Sequence, residues 1–287
     1  MAGWWRHVLG ATTVALALAV SSCGLQQPNG HEPQPAPSTT PPTRSPAGPP
    51  TPTPSPTTHD ETVSEYVRAT ASQRTFFAHQ SVGHDILRGL NHLSRTNGWG
   101  NPVYVDLDKD EVVPDGPGGG LIARVKIGTD RDPLGKITEF DRRLREGLGG
   151  RVDIATLVFS SVDVETGTDV RAVFDTYHSV LAGLQRDFPE VAFIPATVPL
   201  TTDDVGGNTA RTKFNKLVRK EYAEAGRLWD IAAVESTDPD GKRVGGRKHE
   251  ALFPGYAVKT ANLNETGSQA VAEGLLRVIA HAAWDDA

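Results

Sequence analysis

The sequence predicts an α/β fold, a single three-layer (αβα) domain on a mostly parallel five-stranded sheet, flavodoxin-like, behind a disordered N-terminal stalk. Three observations predict it. Arg74 to Leu93 reads as a strand (Thr75, Phe76, Phe77), a tight turn (His79 to Gly83) and a helix with Ile86, Leu87, Leu90 and Leu93 at helical spacing. Apolar runs of strand length then alternate with helical stripes to the end of the chain, which implies right-handed crossovers and helices on both sheet faces. The nearly continuous apolar run Val152 to Phe159 is of the sort buried on both faces.

The chain divides into residues 1–22, 23–59 and 60–287. Arg6 and the apolar run Val8 to Val20, too short to span a bilayer, read as an export signal. Val20-Ser21-Ser22-Cys23-Gly24 resembles the lipobox of bacterial lipoproteins, and Cys23 is the only cysteine of 287 residues. A lipidated Cys23 would hold the chain to the outer face of the cell membrane, each buried methylene adding roughly 0.8 kcal/mol. The alternative is an ordinary signal peptide with a chance cysteine. From Gln26 to Thr58 the chain is Pro, Thr and Ser with almost nothing apolar, so it cannot fold and is biased to an extended form. At its longest this stalk would reach about 90–100 Å.

In the domain, Thr62 to Ala71 reads as a short helix leading into the first strand, and Pro102 to Leu107 as the strand after the Arg74–Leu93 unit. Ile137, Phe140, Leu144 and Leu148 mark a helix before Val152 to Phe159. A strong helical stripe follows (Val170, Val173, Phe174, Tyr177, Val180, Leu181, Leu184), then a strand at Val191 to Ile194. A helix with Ala210, Phe214, Leu217, Val218 and Tyr222, a strand at Leu228 to Ala232 and a helix from about Glu265 to Ala282 complete the series.

Composition narrows the function. A net charge of −6 without a run of basic residues argues against nucleic acid. Pro114 to Gly120 lacks the pattern of a phosphate cradle and reads as a loop. The histidines show no metal-ligand spacing and the domain has no cysteine, so neither metal nor cofactor is expected. A monomer is expected.

In a parallel sheet the residues following each strand converge on one rim, where ligands bind. The rim here holds His79 and Ser81, then Ser160, Ser161 and Asp163, then Thr197, Thr201 and Asp203, then Glu235, and Asn262 and Asn264 before the last helix. Ser81, at the start of a helix whose N–H groups face the turn, is placed like a nucleophile. It reads equally as a helix cap.

FFAHQSVG (Phe76 to Gly83), DPL-x-KI (Asp132 to Ile137), Leu157 to Asp163, VPLTT (Val198 to Thr202), N-x-x-R-x-x-FN (Asn208 to Asn215) and LNE-x-G (Leu263 to Gly267) together resemble the SGNH (GDSL-like) hydrolase family, in particular a subgroup of exported bacterial proteins. The likeness covers most of Asp60 to Ala287. It implies that Ser81 is the nucleophile and that the N–H groups of Ser81 and Gly128 hold the oxyanion. The family's D-x-x-H block, which supplies the base and its orienting Asp, falls on Lys259, Thr260, Ala261 and Asn262, and the oxyanion Asn falls on Val162. Base, orienter and one donor are therefore absent from their usual places, and His79, His84 and His249 are the substitute base candidates.

Two functions follow. The chain is a serine esterase or deacetylase acting on acyl or acetylated cell-envelope substrates through Ser81, or a degenerate SGNH-like lipoprotein that binds envelope glycan through Asp163, Ser161, Thr201, Glu235, Asn262 and Asn264. A third reading makes Asp163 and Glu235 an acid and base pair.

Overall fold

The computed structural model describes residues 61–115 and 119–285. The expected signal peptide, Cys23 and the expected stalk lie outside them. Capping fixes the helix starts. Thr62 and Glu65 form a capping box on α1 (Val63–Thr70). Asp132, Asp169 and Asp204 accept N–H bonds at the heads of α3 (Pro133–Arg145), α4 (Val170–Asp187) and α5 (Val205–Tyr222). The remaining helices are α2 (Ser81–Thr96), the short α6 (Ile231–Glu235) and α7 (Glu265–Asp285).

The strands β1 (Arg74–His79), β2 (Val103–Asp106), β3 (Leu121–Lys126), β4 (Ile154–Leu157) and β5 (Ala192–Phe193) form one sheet in the order β2-β3-β1-β4-β5, with every neighbouring pair parallel. Alternation along β1 separates two cores. Phe77 faces α1, α2 and α7, in one cluster with Ile86, Leu90, Trp229, Leu275 and Leu276. Phe76 and Ala78 face α3, α4 and α5, and Phe76 stacks on Phe140 with ring centres 5.6 Å apart. The predicted three-layer α/β domain with a five-stranded parallel sheet is the observed one.

Membership of the sheet differs from the expectation in two places. β3, beside β1, lies in a stretch where no strand is predicted, because the Gly-rich loop precedes it and Arg124 interrupts its apolar run. The charge is accommodated near the edge, where Arg124 pairs with Asp106 at 2.6 Å. Gly119 has a structural reason, since a β-carbon there would collide with the Ser72 carbonyl as the chain turns into β3. The strand predicted over Leu228 to Ala232 is reduced to a single parallel bridge, Ala196 to Trp229, because Asp230 caps α6 immediately afterwards.

α2 and α7 pack most closely at Gly89, where a β-carbon would strike the Ser268 carbonyl. Gly89→Ala is therefore expected to lower stability by about 1–3 kcal/mol through overpacking. Gly183→Ala, in α4 with room for the methyl, is expected to raise stability by roughly 0.5–1 kcal/mol. Urea midpoints of the two variants check both signs.

Candidate functional site

β1 ends at His79, and the turn into α2 is pinned to the end of β3. The Gln80 side-chain amide donates to the carbonyls of Ile127 (3.0 Å) and Gly128 (2.8 Å). Gln80 is the N-cap residue of α2 without a side-chain capping bond, and Ser81 is the first helical residue. Ser81 is exposed and its hydroxyl has no hydrogen-bond partner among the described residues. It does not cap the helix.

None of the substitute bases is hydrogen-bonded to it. His79 is buried beneath the first turn of α2, so close to Gly83 that a β-carbon there would collide with the ring. Its Nδ1 lies 3.1 Å from the Gln80 carbonyl, which makes Nδ1 the protonated nitrogen. Burial pushes the imidazole down to about 4, leaving it a weak base. His84 is exposed and has no hydrogen bond among the described residues. His249 lies in a loop closed by the Gly245–Glu250 bridge, with its ring against Gly246.

Gly128 adopts φ +58°, and a β-carbon there would come 2.7 Å from Cγ of Lys136, so both conformation and space require glycine. Its N–H donates to the Glu139 carboxylate at 3.0 Å, and an oxyanion would have to displace that carboxylate. Asn262 lies at the head of α2, its amide 3.4 Å from Asp85, four residues beyond Ser81. The N–H of Leu263 donates to the same oxygen at 2.9 Å, so Asp85 fastens this loop. Asn264 is occupied structurally, accepting the Gly267 N–H at the head of α7 and donating to the Gly255 carbonyl.

Behind the rim lie two buried charge clusters. Lys136, wholly buried, is 2.6 Å from Asp163 and 3.4 Å from both Asp130 and the Ser160 hydroxyl. Burial pushes the Asp163 carboxyl up, against Lys136 and the N–H groups of Ser160 and Arg131. Arg211, also buried, donates to the Ser161 carbonyl, the Thr201 hydroxyl, Asn208 and Asp204. Glu235 has no exposure. One oxygen accepts the Leu200 N–H at 2.6 Å and the other has no partner. Burial raises its carboxyl to about 8. Asp163 and Glu235 therefore present no oxygen to solvent, and acid–base work on a substrate lacks access. Ser161 and Thr201 are likewise buried.

Sequence reasoning gave no role to Gln80, Asp85, Lys136 or Arg211. Lys136 and Arg211 fall inside the DPL-x-KI and N-x-x-R stretches, and their place between apolar helical positions is the signal that they turn inward. Among the described residues no group of three His, Cys, Asp or Glu is arranged to hold a metal.

No family model and no curated protein matches the chain. Among solved structures it is similar to a mutant of Axe2, an acetyl-xylooligosaccharide esterase from Geobacillus Stearmophilus, at 13% identity over 74% of this chain and 95% of that one, TM-score 0.44. It is also similar to a member of the lipolytic protein G-D-S-L family from Veillonella parvula, at 14% identity over 71% and 95%, TM-score 0.41. At these scores the likeness carries no statement about activity or ligand.

Two outcomes are expected. Lys136→Met leaves Asp163 buried without its cation and is expected to cost about 3–5 kcal/mol in chemical denaturation. Adding Asp163→Asn is expected to recover part of that loss. Glu235 keeps its proton to about 8 in the native state, while the unfolded chain releases it from 4.5 upward, so its contribution to stability falls as pH rises through that range. His79 acts oppositely between about 4 and 6.5, where the unfolded chain binds a proton that the native state excludes. From 6.5 to 8 Glu235 acts alone of the two. Melting temperature is expected to fall over that interval, and the fall is expected to flatten in Glu235→Gln.

Proposed function

We propose that this chain is an SGNH-like protein of the bacterial envelope, lipid-anchored through Cys23, that binds a cell-envelope glycan at the Ser81 rim without hydrolysing it. One observation carries this reading: the Ser81 hydroxyl is hydrogen-bonded to no base among the described residues, and Asn262 stands at the family's histidine position with its amide on Asp85. A serine hydroxyl is a weak nucleophile until a neighbouring group takes its proton, a step that contributes typically 10²–10⁴-fold. Losing an oxyanion donor costs about 10²–10³ more, and Val162 stands in place of the family's asparagine while the Gly128 N–H is engaged by Glu139.

What remains suits binding. Asn262 is an exposed amide beside an exposed serine, and the loops carrying them are held rigid by Asp85 and Gln80. The export signal, lipobox and Pro/Thr/Ser-rich stalk support a protein held out from the membrane, where glycan is the abundant neighbour. An esterase or deacetylase reading keeps one observation in its favour, the free Ser81 hydroxyl at the positive end of α2. It needs a base that the described residues do not supply to Ser81.

A fluorophosphonate probe separates the two, since an activated serine reacts quickly with it. The full chain is expected to label no faster than its Ser81→Ala variant. Labelling that disappears in Ser81→Ala would overturn the binding reading and establish a serine hydrolase.

A further inference from the structure

We propose that the outer face of α2 and the groove it forms with α7 bind an acidic glycan, with Arg88 and Arg95 receiving the carboxylates of its uronic acid sugars. This deepens the binding reading above and rests on it.

The exposed positions of α2 run from the rim as Ser81, His84, Arg88, His92 and Arg95, at spacings of three and four residues, with Thr96 beside the last. The chain as a whole has a net charge of −6, yet no acidic residue stands in that line. Alongside it, between α2, Val258 and the first turns of α7, runs an open groove of about 640 Å³.

The groove is rich in unengaged donors. Arg88 is held in place through Nη2 alone, which reaches Asp85 (3.0 Å), the Leu263 carbonyl (3.0 Å) and the Ser268 hydroxyl (3.4 Å). Its Nε and Nη1 have no partner among the described residues, so a fixed guanidinium offers separate single N–H donors, both of its two-pronged edges including the engaged Nη2. Arg95 has no hydrogen-bond or ion-pair partner among the described residues. Asn91 uses its oxygen to accept from Tyr104, which leaves its amide hydrogens toward the groove. Two carboxylates face these donors, and the Asp85 pair offsets the charge of Arg88, which leaves Arg95 as the cation without an ion pair among the described residues of the groove. The Asp85 carboxylate is already engaged by Leu263, Asn262 and Arg88, and Glu265 interacts with His92 at 3.6 Å and accepts from Gln269.

These features describe the occupant. The unengaged guanidinium of Arg95 can match a carboxylate in two parallel bonds, and Arg88 adds a single charge-assisted one. Arg88 and Arg95 are two helical turns apart, roughly 10 Å along the axis, about the length of a disaccharide. A glycan with an acid on every second sugar would meet both. Its hydroxyls would find Asn91 and Glu265 between them, and Val258, 63% exposed, offers an apolar surface for the carbon face of a ring.

The probe is a hyaluronan oligosaccharide, in which uronate alternates with a neutral sugar, titrated calorimetrically into the full chain beside the same oligosaccharide with its carboxyls reduced to alcohols. The carboxylate form is expected to bind at least about tenfold more tightly, with affinity falling as salt rises. Arg95→Gln, at a side chain with no hydrogen bond or ion pair among the described residues, is expected to lose about tenfold, while Arg186→Gln on α4 is expected to change nothing. Equal binding of the two oligosaccharides would overturn the uronate proposal while leaving glycan binding at the rim standing. Unchanged affinity in Arg95→Gln would overturn the groove as its site. Rapid labelling of Ser81 would fell the non-hydrolytic reading alone and leave the Arg95 result to be judged by its own titration.

Discussion

Two cations almost without contact with water, Lys136 and Arg211, govern how the rim of this sheet is arranged. A buried charge is tolerated only when its partners are in place, and breaking such a set leaves an uncompensated ion in a medium of low polarity. Lys136 therefore joins α3 to the loop after β4 through Asp163, and to the loop after β3 through Asp130. Arg211 joins α5 to the carbonyl of Ser161 and the hydroxyl of Thr201. The loops that follow β3, β4 and β5 are thus tied to helices on one face. Networks of this kind impose a single arrangement, because any slip orphans several polar atoms together.

The opposite face is organised by shape. Gly83 lets α2 close over the His79 ring, and Gly89 lets it close against α7. The side of the sheet carrying Ser81 therefore rests on apolar contact and helix proximity, the other on paired charge. Ser81 lies at the meeting of the two, held by a glutamine that reaches across to the end of β3.

Much of this was legible in the chain. Periodicity located every long helix, and the apolar run ending in Phe159 marked a central strand, because burial on both faces leaves an unbroken hydrophobic signature. β3 was not legible: four buried residues around a paired arginine, following a glycine-rich loop, look like the loop's continuation. The Leu228 to Ala232 stretch misled for the converse reason. Its composition suits a strand, but Asp230 begins a helix after a single bridging residue. At the site, Ser81 was legible by position and Asn262 by the motif that it interrupts. The inward course of Lys136 and the Asp85 clasp were not, since both depend on contacts between elements distant in sequence.

The ion pair between Arg124 and Asp106 bears on how this protein behaves among copies of itself. β2 is the outer strand on its side, and an unpaired strand edge is a template on which another chain can add. Here the edge is only four residues long, and its last residue carries a carboxylate shared between Arg124 and Lys109. A left-handed residue, Asp110, then turns the chain away. Any strand arriving at that edge would meet fixed charge and soon run out of backbone to pair with. The border of the sheet thus works against self-aggregation, a safeguard whose value rises with the local concentration of the protein.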